Sequence, residues 1–139
     1  MEFRSIDGQS YIALTEWEAD DYGVKAAVAI RDGDFAGANH EVWFFRDAFV
    51  AFVQALRKFS DTHEDEAQLE SMSPNEAALS IRHFDLARHV VVEAQLSYGH
   101  FIRVRSVDNQ VAVIFELDPS RLPDVVHSLE AIISDPEPA

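Results

Sequence analysis

The chain has 139 residues, 47% of them apolar with ten Phe and two Trp, which is enough to furnish one hydrophobic core. It has no cysteine, which excludes disulfides, thiolate-ligated zinc and thiol nucleophiles, and fits a reducing compartment. Its formal charge is −14, a field that repels nucleic-acid phosphates and anionic lipid and attracts a basic partner.

In chain order, "MEFRSIDG" has neither the basic nor the apolar segment of an export signal, and no stretch approaches the apolar length of a membrane helix. A soluble cytoplasmic protein is the expectation. "DGQ" at 7–9 signals a turn that closes a short first strand from Glu2 to Ile6. Period-two alternation then predicts strands over "SYIALTEWE", "GVKAAVAIRD" and "NHEVWFF", with "RDGD" at 31–34 as a turn. In the first of these, Glu16, Glu18 and Asp20 project to one side and Trp17 to the other.

"RDAFVAFVQALRKFS" changes period: Phe49, Phe52, Val53, Leu56 and Phe59 form one helical stripe, with Asp47 placed to cap it. Residues 60–76 then carry six acids and no base. Within "DTHEDEAQLE" the chain leaves the helix near His63, because further acidic turns would oppose the helix dipole. Glu64, Asp65 and Glu66 become an exposed acidic connection. "AQLESM" is a candidate strand leading into the turn "SPNE".

Residues 77–117 can be tested for a shared buried face. With Asp85–Arg88 as a hairpin loop, Ala77, Leu79, Ile81 and His83 face Leu96, Ala94, Val92 and Val90. A loop at Tyr98–His100, with Gly99 left-handed, would then align Ala94 with Val104 and Leu96 with Ile102. A further turn at Asp108 and Asn109 would align Val104 with Val113 and Ile102 with Phe115. The same registers put Glu93 beside Arg105 and Gln95 beside Arg103. Finally, Leu122, Val125, Val126, Leu129, Ile132 and Ile133 share a face of a helix expected from Arg121 to Ser134, capped by Ser120, before a frayed acidic tail at 135–139.

These elements make an α+β domain spanning 1–139: an antiparallel sheet of about seven to nine strands with two helices packed on one face. No metal motif, nucleophile elbow, phosphate loop or dinucleotide glycine pattern is present. No catalytic residue, metal ligand or cofactor is therefore assigned. The scattered histidines include His83, expected near the buried side of the sheet as a hydrogen-bonded structural residue. The expected partner surface comprises Glu16, Trp17, Glu18, Asp20, Glu64, Asp65 and Glu66. The alternative is an enzyme or small-ligand domain with a carboxylate and histidine pocket drawn from Glu16, Glu18, His40 and His83, and a homodimer through the polar sheet face or an edge strand is a third possibility.

The stretches "LESMSPNEAALSIRHFDLARHVVVEAQLSY" and "VAVIFELDPSRLPDVVHSLEAI", with "FRSIDG" near the start, resemble the WapI-type immunity family of small bacterial proteins. The resemblance implies an intracellular protein that binds and neutralises a cognate contact-dependent toxin, and it brings no functional residues with it.

Overall fold

A computed structural model describes residues 1–74, 76–85 and 89–134. The strands are β1 (Glu2–Arg4), β2 (Ser10–Ala19), β3 (Gly23–Asp32) and β4 (Phe35–Phe45), then β5 (Ala67–Glu70), β6 (Ala77–His83), β7 (Val90–Ile102) and β8 (Arg105–Leu117). Helix α1 (Arg46–Thr62) lies between the two sets, and α2 (Leu122–Ser134) closes the chain. The α+β class and the antiparallel pairing are as expected. The eight strands divide into two four-stranded meanders, β1-β2-β3-β4 and β5-β6-β7-β8.

Among the described residues, backbone links at two places join the meanders at their edges. Ser5 bridges to Leu117, with the Ile6 amide donating to the Glu116 carbonyl at 3.2 Å, and the Met72 amide donates to the Trp43 carbonyl at 2.8 Å. The inward residues of both sheets therefore meet in one core. Ile12, Leu14, Val24 and Ile30 come from the first sheet, and Leu79, Ile81, Val92 and Phe115 from the second. Gly37 shows how close the layers come: a Cβ there would stand 2.9 Å from Val111 Cγ2.

The helical stripe of α1 buries all five expected residues, from Phe49 to Phe59. Burying a Phe stabilises by about 1.5–3 kcal/mol, against about 0.5–2 kcal/mol for one side-chain cap, so five buried residues outweigh a missing cap. Asp47 is in fact the second helical residue, and the cap position belongs to Phe45, whose side chain makes no capping bond. The exit is at His63, as expected, in the left-handed conformation with its amide bonded to the Phe59 carbonyl. Ahead of α2, Asp118 caps a 3-10 turn, accepting from the Ser120 amide, and Ser120 lies inside that turn instead of capping the helix. A 3-10 turn at Pro119–Arg121 lets Pro119 occupy its first position, so Pro123 falls within the first turn of α2, where a missing N–H is harmless. Arg46 ties these parts together, donating to the Asp20 carbonyl at 3.3 Å and the Ile133 carbonyl at 3.0 Å.

The β6–β7 register is the expected one, with Ala77 opposite Leu96 and His83 opposite Val90. The next expected turns are absent. β7 and β8 form one uninterrupted hairpin in which Ala94 faces Val113, Leu96 faces Val111 and Ile102 faces Arg105. Arg103 and Val104 make the turn, with Arg103 at φ 58°. Glu93 consequently lies opposite Ile114 and Gln95 opposite Ala112, so neither meets Arg105 or Arg103. Glu93 is paired instead with Arg82, at 3.4 Å. The expected tail at 135–139, the middle of the loop at 86–88 and residue 75 of the "SPNE" turn lie outside the described residues.

Candidate functional site

The acidic residues singled out in the sequence fall at two places. β2 carries a bulge: Thr15 pairs with Ala27 and Glu18 with Lys25, so Glu16 and Trp17 together oppose Ala26. Glu16 takes the left-handed position of that bulge at φ 55°, where glycine is the usual residue. A side chain there costs on the order of 1–2 kcal/mol, and the bulge re-aims the side chains after it. The simple alternation expected of Glu16, Trp17, Glu18 and Asp20 is thereby broken.

The consequence is an ion pair, Lys25 with Glu18, on the outer face of the first sheet, with two further acids in its neighbourhood. Lys25 Nζ lies 2.9 Å from Glu18 Oε2, and Glu41 and Glu16 act on it from further away. The Glu18 hydrogen bond, reinforced by these charges, raises the Lys25 pKa above its ordinary value. Lys25 also lies 5.9 Å from the Trp43 ring centroid, and the Trp43 indole donates to Glu41 Oε1 at 3.3 Å. Three acids against one base leave the patch acidic, with Trp43 at the side of Lys25 and Glu41.

Trp17 is half-buried and packs edge-on against Phe49 at 5.4 Å, so its ring belongs in part to the core rim. Asp20 is past the end of β2, where its carboxylate accepts from the amides of Tyr22 and Gly23 at 2.8 and 2.7 Å. Those two donors hold its pKa below the usual carboxylate range. Asp20 shapes the β2–β3 turn.

Glu64, Asp65 and Glu66 follow the other end of α1. Asp20 is tied to the start of that helix through Arg46, and seventeen helical residues span about 25 Å, so the two acidic groups are well separated. Asp65 pairs with Lys58 at 2.9 Å and raises the lysine pKa, while Glu66 accepts from the Gln68 side chain at 2.8 Å. Glu64 is exposed. Among the described residues no group of three or more His, Asp or Glu side chains is placed to hold a metal ion.

Two grooves described in the structure have linings other than the carboxylates and histidines of the alternative reading. A groove of about 590 Å³ runs between α1 and the outer face of the second sheet, past Ala48, Ala51, Glu70, Ser80 and Glu93. A second groove of about 350 Å³ lies among Phe84, His89, Val91, Ile114 and Glu116. Neither is lined by Glu16, Glu18, His40 or His83. His83 is half-buried with its ring 4.9 Å from that of Phe59, and its Nε2 bonds the His63 carbonyl at 2.6 Å, a structural role.

Sequence reasoning missed Trp43 and Glu41. The signal was present: in "HEVWFF", Val42 and Phe44 are the buried pair, so Trp43 between them and Glu41 before them face outward together.

The model of the Immunity protein WapI-like family matches residues 2–136. This chain belongs to that family. The match takes in both sheets and both helices, so the acidic patch on β2, β3 and β4 and the acidic segment after α1 both lie within the family region. No curated protein and no solved structure matches the chain. Among the described residues, no helix of this WapI-like immunity protein is long and apolar enough to cross a membrane.

Proposed function

We propose that this chain is a cytoplasmic immunity protein that binds a cognate toxin and neutralises it by covering the toxin's working surface. Family membership supports the class of activity. The observation that carries the reading of the surface is the convergence of Glu16, Glu18 and Glu41 on the single Lys25 beside Trp43. A half-exposed aromatic beside an acidic patch offers a basic protein both a flat apolar contact and charge complementarity.

The partner is accordingly a basic protein, and nucleic acid and anionic membrane are disfavoured by the −14 charge. Trp17 steadies the bulge from the core side while Glu16 and Glu18 face the partner. Glu64, Asp65 and Glu66 form a second acidic contact that increases the encounter rate at long range.

The test is a binding series against the toxin recovered with this protein by pull-down from its source cell, at several salt concentrations. Wild type is expected to lose affinity as salt rises, and Glu16→Lys with Glu18→Lys to lose about tenfold or more, or about 1.4 kcal/mol. Glu64→Lys with Asp65→Lys and Glu66→Lys is expected to slow association more than it speeds dissociation. Binding that is indifferent to salt and to both sets of reversals would overturn the electrostatic reading.

A further inference from the structure

We infer that the outer half of the β7–β8 hairpin is a docking arm that holds a second copy of this chain. The ladder between the two strands is regular from Val90–Leu117 to Ile102–Arg105, so side chains keep their faces along its length. In the body, Val92, Ala94 and Leu96 on the inner face are buried. The same face continues as Tyr98, His100 and Ile102 on β7: Tyr98 and Ile102 are 59% and 58% exposed, and His100 between them is half-buried and stacked on the Tyr98 ring at 6.0 Å. The core side of the sheet runs on past the end of the core.

The last bond from the β6 side is the Ser97 amide to the Glu76 carbonyl. Beyond it, from Tyr98 to Asn109, the hairpin pairs with itself alone among the described residues. Phe101 and Val104 add to its exposed apolar surface, the latter at 94%. A two-stranded ribbon in water is marginal by itself, and apolar groups on such a ribbon are stabilised by contact with another surface.

Two observations select the occupant. The arm from Ser97 to Gln110 holds Arg103 and Arg105 against one acid, Asp108, a net charge of +1 in a chain whose total charge is −14. An arm of that sign fits an acidic surface, and the body of this same chain is one. The second is size: the fourteen residues from Ser97 to Gln110 fall short of the roughly 20–30 residues a side of a stable interface. In a two-fold pair each protomer contributes its own arm and the surface that receives its partner's, which doubles that number.

Light scattering on the full chain over a micromolar concentration series tests this. Wild type is expected to reach twice the chain mass. Ile102→Lys with Val104→Lys is expected to remain monomeric with an unchanged near-ultraviolet spectrum from Trp17 and Trp43, since both sites lie outside the core. Arg105→Glu, which leaves the apolar surface intact, is expected to weaken pairing about tenfold. A wild type that stays monomeric at every concentration, or a dimer untouched by these variants, overturns the proposal. A monomeric wild type whose arm variants fail to neutralise the toxin would assign the arm to the toxin instead, and overturn it equally.

Discussion

A methyl group added at Gly23 has little room. Its position stands 2.9 Å from Met72 Cε, 3.1 Å from the Phe44 carbonyl oxygen and 3.1 Å from Trp43 Cε3. The methionine can swing aside, but the carbonyl is fixed by the β3–β4 ladder, where Gly23 pairs with Phe45. Gly23→Ala is therefore expected to destabilise the fold by about 1–3 kcal/mol, as overpacking does, read from urea unfolding. Because the clash also presses on the indole, Trp43 emission should shift in the folded protein. An Ala variant with wild-type stability and emission would mean that β3 and β4 yield freely, and that Trp43 is not held in the orientation that sets Lys25 and Glu41 around it. At this scale the sequence was partly readable: outward alternation marks Trp43 and Glu41, but nothing in the letters says that a residue other than glycine takes the bulge at Glu16.

Among the elements, apolar pattern made some features readable, and turn chemistry hid others. The β6–β7 register follows from matching Ala77, Leu79 and Ile81 to Leu96, Ala94 and Val92, because a slip of one residue would expose all of them. The β7–β8 turn carried misleading signals: Gly99 and the Asp108–Asn109 pair look like turns yet face each other within the ladder, while the true turn is Arg103 and Val104. A left-handed first central residue is the type II′ arrangement, which prefers glycine there, and Arg103 takes it at φ 58°. Arg103→Gly should relieve that strain and steady the arm by roughly 1 kcal/mol. Slower hydrogen exchange at the Ile102 and Arg105 amides would report it, and faster exchange would mean that the Arg103 side chain makes a compensating contact. The way the two meanders join was also out of reach, since it depends on single bonds such as Met72 to Trp43 that no periodicity encodes.

For the molecule as a whole, 25 acids against 11 bases make folding and binding respond to salt in opposite directions. Compact structure brings the carboxylates of residues 1–45 and 60–76 closer together than they are in the open chain, so self-repulsion falls on the folded state. The exposed pairs Glu18–Lys25 and Lys58–Asp65 act the other way, but surface pairs contribute little. Raising ionic strength from about 0.01 M to about 0.15 M shortens the screening length from roughly 30 Å to roughly 8 Å, which removes most of the repulsion between the ends of α1 while sparing contacts at about 3 Å. A gain of about 1 kcal/mol corresponds to a rise of roughly 3 °C in Tm for a chain of this size. Calorimetry at low and physiological salt should therefore show Tm increasing, over the same range in which affinity for a basic toxin decreases. A Tm that falls with salt would place the balance with the ion pairs, and would imply that the acidic surface is already neutralised within the protein rather than held open for a partner.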